Sequence, residues 1–323
     1  YRLGDFYEMF FEDAITVSRE IELTLTGKSC GLEERIPMCG VPHHAVNIYI
    51  EKLIEKGYKV GICEQMEDPR FTKGLVKRDL TQIVSIGTII NNDSLNEKDN
   101  NYIGSILDFN HAYVLCYADI STGDMYVTLL EHNITKLVSE VVSIGIKEII
   151  LSSKIDPEVN ALLKNQFKIS TTITDNIENY KEYEYIYSDI GDARYIETIK
   201  HLLTYVTNTQ KRNLSHMQKV EIKDSKDYLK MDIHTKRNLE LTETLRLKDR
   251  NYSLIWLLDK TKTAMGSRML KHFIENPLVS KEEIERRYDT VEILLKEFIL
   301  KEELQNLLYE VYDLERLSGR VAY

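Results

Sequence analysis

Gly4-Asp5-Phe6-Tyr7-Glu8-Met9-Phe10 packs three aromatic side chains and a carboxylate into its last five residues. It admits two readings. If helix sets in early, Phe6 and Phe10 lie four apart on one buried face. If the stretch is extended, residues two apart share a side, and Phe6 and Glu8 point the same way. The second reading requires both to precede the helix proper.

Downstream, Phe10, Ala14, Val17 and Ile21 recur at helical spacing. Residues 22–26 then read extended, with Gly27 as a break. Residues 45–56 form a second amphipathic helix, with Val46, Ile50, Leu53 and Ile54 on one face and Gly57 placed as a left-handed cap. Residues 59–63 and 82–86 read as buried strands. This alternation predicts a mixed α/β domain over 1–90. The polar, aperiodic stretch 91–101 (NNDSLNEKDNN) reads as a linker.

Three strand-like runs follow, 102–107, 112–118 and 124–130, the last two joined by the turn Ser121-Thr122-Gly123. A helix at 135–143, a strand at 148–151 and a helix at 193–205 come next. Three antiparallel strands and then helix–strand–helix is the order of RNase H-like folds, so 102–222 is expected to be such a domain, on pattern alone. From 223 to 323 the signal is helical. Asp232 is placed to cap a helix running through 246. Ser280 and Glu283 form an S-x-x-E capping box ahead of Ile284, Tyr288, Val291, Leu294 and Leu295. The overall class is thus α/β multidomain, ending in the start of an all-α core.

The bulk numbers set limits. The 323 residues are 43% hydrophobic and 29% charged, enough to bury one large core or two to three ordinary ones. The chain starts at Tyr1 inside a strand pattern and stops inside a helical one, so it is expected to be a piece of a longer protein. No apolar run approaches the ~20 residues that span a bilayer. Four cysteines without a disulfide-like spacing point to a reducing cytoplasm. The net charge of −10 argues against a broad basic face for nucleic acid, but not against a few inserted side chains.

Motifs beyond the first stretch carry a resemblance. Ile36-Pro37-Met38-Cys39-Gly40-Val41-Pro42-His43-His44-Ala45 and Gly61-Ile62-Cys63-Glu64-Gln65-Met66-Glu67-Asp68-Pro69 are two of them. Gly87-Thr88, Asp119-Ile120-Ser121-Thr122-Gly123, Arg237-Asn238-Leu239-Glu240-Leu241 and Thr263-Ala264-Met265-Gly266-Ser267-Arg268-Met269-Leu270 follow in order. Together with Gly4–Phe10 this series resembles the MutS family of DNA mismatch-recognition proteins across most of the chain.

The resemblance implies that Phe6 and Glu8 are the mismatch-reading Phe-x-Glu pair. An apolar wedge in the minor groove unstacks bases at a few kcal/mol per step, and least where pairing is already poor. Desolvation beside DNA would favour a protonated Glu8, which donates a hydrogen bond to a base. Asp5, Met38, Arg70, Lys73, Lys77 and Arg78 are candidate DNA contacts, the basic four through phosphates.

The same resemblance assigns three regions: mismatch-binding, connector and the truncated start of a helical core or lever. It implies partners in mismatched or looped-out duplex DNA, MutL and a second copy of the parent. ATP and Mg²⁺ would belong to a C-terminal ATPase domain, since no G-x-x-x-x-G-K-[ST] occurs here. No catalytic or metal-binding residue is expected in this portion. Two alternatives stay open. One is a Mg²⁺-dependent nuclease built on Asp119, with Asp124, Asp189 and Asp192 as partners; the other is a structural DNA clamp. Cys30, Cys39, His43 and Cys63 lack zinc-site spacing.

Overall fold

The computed structural model describes residues 1–31, 34–67, 74, 76–89, 96–223 and 228–321, with the backbone of 322. The chain divides into two compact units, 1–89 with 205–212, and 90–204 with 213–323.

In the first unit, β1 (Arg2–Leu3) and β2 (Phe6–Phe10) form a tight hairpin. The chain then enters α1 (Phe11–Glu20), β3 (Thr26–Lys28) and β4 (Ile36–Pro42). The four strands make an antiparallel sheet in the order β1-β2-β4-β3. The opening stretch is therefore extended, and the helix begins only at Phe11. Phe11 makes the change of direction at φ +53°, a left-handed conformation rare for an aromatic residue. Ala14 on α1 and Cys39 and Val41 on β4 are buried.

Residues 22–25 are not a strand, and Gly27 does not break one. It lies inside β3 opposite Pro37. After a 3₁₀ turn at His43–Ala45, α2 (Val46–Glu55) buries Ile50, Leu53 and Ile54. Gly57 at φ +87° closes it, with the Tyr58 amide donating to the Leu53 carbonyl at 3.0 Å. β5 (Val60–Gln65) and β6 (Arg78–Val84) pair antiparallel, with an irregularity at Ile62/Cys63. Ile50, Ile54 and Val84 share a small core.

The second unit is built on β7 (Tyr102–Asp108), β8 (Ala112–Asp119), β9 (Asp124–Glu131), β10 (Glu148–Leu151) and β11 (Ser170–Ile173), with β12 (Glu221–Ile222) beside β9. Their order is β11-β10-β7-β8-β9-β12. β7, β8 and β9 form an antiparallel meander, while β10 runs parallel to β7 and β11 to β10. β8 is buried along its whole length, as a central strand must be. α3 (Ile134–Ile144) is capped by the Asn133 side chain and closed by Gly145 at φ +81°. α3 and α4 (Pro157–Ala161) contribute Leu137, Val138, Val141 and Val159 to a buried apolar core, with Leu115, Ile149 and Leu151 from the sheet. α5 (Ala193–Gln210) outruns the expected end at 205.

The remaining helices are α6 (Ile233–Asn238), α7 (Leu254–Leu258), α8 (Ala264–Glu275), α9 (Lys281–Lys296), α10 (Phe298–Tyr309) and α11 (Leu314–Ala322). Asp232 does cap α6, accepting from the Thr235 amide, but the helix stops at Asn238 rather than 246. Glu240 at φ +48° turns the chain, and its carboxylate takes the Leu245 amide at 2.7 Å. A local side-chain bond thus replaces the helical ladder there. At Ser280 half of the capping box forms. Ser280 Oγ accepts from the Glu283 amide, whereas the Glu283 carboxylate turns to Arg286. The whole is mixed α/β and ends in helices. Among the described residues no helix is long and apolar enough to cross a membrane.

Candidate functional site

The β1–β2 hairpin turns on Gly4 and Asp5, with Leu3 paired to Phe6 and Gly4 at φ +61°. Only a residue free of Cβ strain adopts that φ readily. The turn is tied down by the His43 amide, which donates to the Asp5 carbonyl at 2.8 Å. Phe6 is the first residue after the turn, and 49% of it is exposed. A phenyl ring left half in water at a hairpin tip adds little to a core. It is apolar, flat and available.

Strand alternation puts Phe6, Glu8 and Phe10 on one side of β2. Across the pair, Pro42, Gly40 and Met38 stand opposite them and complete the face. Thr26 extends it by one strand, and its hydroxyl donates to the Met38 carbonyl at 3.1 Å. Met38 is partly buried in this face. The Glu8 carboxylate is not free: Lys28 on β3 donates to its Oε2 and sits 5.5 Å from the Phe10 ring centroid.

The other side of β2 anchors the strand. Tyr7 donates its hydroxyl to Glu64 on β5, stacks on His43 at 5.8 Å and lies under the Arg2 guanidinium at 5.5 Å. Burial, and then the Glu64 carboxylate, raise the Tyr7 phenol above its ordinary value. Cys39 Sγ contacts the Ala14 carbonyl at 3.5 Å, which fixes α1 against β4.

The candidate basic contacts separate. Arg70 and Lys73 lie outside the described residues. Lys77 is exposed. Arg78 is partly buried and donates to the Arg2 carbonyl at 3.0 Å and the Val76 carbonyl at 3.1 Å. Asp5 is exposed at the turn. Lys28, Tyr7 and Glu64 were not singled out by sequence reasoning for this site. Lys28 lies 20 residues from Glu8, and Glu64 lies 57 from Tyr7. No local periodicity links residues so far apart.

The carboxylates of the nuclease alternative are committed elsewhere. Asp119 is fully buried and accepts from the Asn101 amide, the Ser121 amide and hydroxyl, and Asn100 Nδ2, at 2.6 to 3.2 Å. Asp124 is held by the Thr122 hydroxyl at 2.7 Å. Asp189 pairs with Lys219 and Asp192 with Arg194. Among the described residues no cluster of three His, Cys, Asp or Glu is placed to hold a metal ion. The four cysteines are free thiols.

Comparison with known proteins adds the following. The chain matches the family models MutS domain I over residues 1–93, MutS domain II over 101–218 and MutS domain III over 234–323. It is 47% identical over its whole length to the DNA mismatch repair protein MutS of Bacillus mycoides, covering 36% of that protein. The proteins of the same name from Bacillus licheniformis and Bacillus cereus are 47% and 46% identical over the whole chain, which covers 37% and 36% of them. The chain thus spans little more than a third of the relatives it matches.

Proposed function

The chain belongs to the MutS family of DNA mismatch repair proteins, and from that premise we propose that its first domain reads mismatched or looped-out bases in duplex DNA through Phe6 and Glu8. One observation carries this reading. Phe6 is a half-exposed phenyl ring at a hairpin tip, on the same strand face as Glu8, rather than a core residue. Phe6 enters from the minor groove as a wedge and unstacks a base step. Its cost is lowest where pairing is already defective, so deformability becomes the signal. Glu8 then engages the loosened base. Pro42, Gly40 and Met38 form the low floor beside the wedge.

The second domain acts as an RNase H-like connector, supported by the β11-β10-β7-β8-β9 order with its antiparallel meander. The terminal helices open a helical core or lever. In the longer parent, ATP and Mg²⁺ bind a further domain, two copies assemble, and mismatch binding is signalled to MutL, all in the cytoplasm. None of those steps uses a residue of the present chain as a catalyst.

The experiment is a titration of the full-length protein and its Phe6→Ala variant against a G·T duplex and its matched control, at one fixed salt concentration. The reading requires the wild type to prefer the mismatch and the variant to lose that preference. Equal binding of both duplexes by both proteins would overturn it.

A further inference from the structure

The sheet rows are ordered along β4 as Ile36, Met38, Gly40 and Pro42. Lys28 stands at the first, Phe10 at the second, Glu8 at the third and Phe6 at the fourth. Yet Lys28 Nζ reaches Glu8 Oε2, passing over the Phe10 ring. Lys28 thus approaches Glu8 from the Phe10 end of the strand, opposite the Phe6 end. The pair is only partly solvated, with side-chain exposures of 36% for Lys28 and 16% for Glu8.

We propose that Lys28 is a positioning residue that latches Glu8 away from Phe6, so that a base must compete with an ammonium group for the carboxylate. The inference rests on the mismatch-reading role given to Glu8 above. Its logic is electrostatic. A matched duplex presents base edges that are already paired, so nothing draws Glu8 off Lys28. The latched pair also carries no net charge against the phosphates. A mismatch offers an unsatisfied base edge beside the wedge, and Glu8 changes partner. The latch sets the threshold at which a site counts as defective.

The test uses the full-length protein and the ratio of its affinities for a G·T duplex and a matched duplex at fixed salt. Lys28→Met keeps the aliphatic stem over Phe10 and removes the latch. It is expected to raise the ratio about fivefold, the scale of a partly exposed ion pair. Lys28→Arg retains the charge and should hold the wild-type ratio. In a Glu8→Gln background, Lys28→Met should leave the ratio unmoved, because no carboxylate remains to release. Lys28→Gln serves as a second uncharged variant if Lys28→Met fails to fold.

An unchanged or lowered ratio in Lys28→Met overturns the latch, and so does an equal rise in the Glu8→Gln background. In both cases an altered ratio for Glu8→Gln alone would leave the role of Glu8 standing. If Glu8→Gln alone changes nothing, the reading of Glu8 fails and the latch falls with it.

Discussion

Gly40 stands directly across β2 and β4 from Glu8, and a Cβ built on it would lie 3.2 Å from the Tyr7 carbonyl oxygen and 3.4 Å from Glu8 Cγ. The first neighbour is backbone and cannot swing aside. The glycine is needed here for space rather than for an unusual φ. Gly40→Val is expected to destabilise the protein by about 1–3 kcal/mol through crowding. It should also weaken mismatch preference by displacing Glu8. Urea unfolding and duplex titration of the same preparation check both effects.

Phe6→Ala separates a wedge from a core residue. With half its surface in water, Phe6 has little burial to lose, so truncation should cost less than about 1.5 kcal/mol of stability, well short of the 3–5 typical of a core Phe. Mismatch preference should nevertheless collapse. A large fall in the unfolding midpoint would place the ring in the core instead.

Tyr7→Phe removes the hydroxyl that Glu64 accepts from, and leaves a partly covered carboxylate unpaired. A loss of about 1–3 kcal/mol is expected. Glu64→Gln retains an acceptor for the hydroxyl and should cost less. The order of the two variants in chemical denaturation is the measurement.

Asp119 is a structural acceptor in this geometry. Asp119→Ala removes the acceptor shared by the Asn101 and Ser121 amides, the Ser121 hydroxyl and Asn100 Nδ2. It should destabilise by about 3–5 kcal/mol. Wild-type protein should show no Mg²⁺-dependent cleavage of duplex DNA. Cleavage that Asp119→Ala abolishes would restore the nuclease alternative.

His272 on α8 makes the second unit sensitive to acid. Burial, and then Lys223 and Arg287, lower its pKa from 6.5 to about 4. Between those values the unfolded chain binds a proton that the folded chain refuses. The stability contributed by neutral His272 is therefore present above pH 6.5 and lost as pH falls toward 4. His272→Gln keeps an acceptor for Asn276 Nδ2, which lies 3.1 Å from His272 Nδ1. That variant should show a shallower loss of stability between pH 7 and pH 5 in urea unfolding.

Features legible in the sequence were those written by neighbours a few residues apart. The meander of β7, β8 and β9 follows from apolar runs separated by turn residues, and β10 spans the expected 148–151. Gly57 and Ser280 act as caps because a left-handed φ and a hydroxyl at a helix start are local requirements. Where sequence reasoning overshot, another local bond intervened. The helix expected to reach 246 ends at Asn238 because the Glu240 side chain takes a backbone amide that the helix would have used.

The ordered motifs were enough to place the chain in its family and to single out Phe6 and Glu8, since both the resemblance and strand alternation are properties of the chain itself. Only the tertiary structure decided that Phe6 is half-exposed at a hairpin tip, that Lys28 holds Glu8, that Glu64 holds Tyr7, and that Arg78 donates to the Arg2 and Val76 carbonyls. The reason is the range of the forces. Dihedral preference and side-chain alternation act between neighbours in sequence, whereas an ion pair or hydrogen bond acts between whichever groups the strand register brings within about 3 Å.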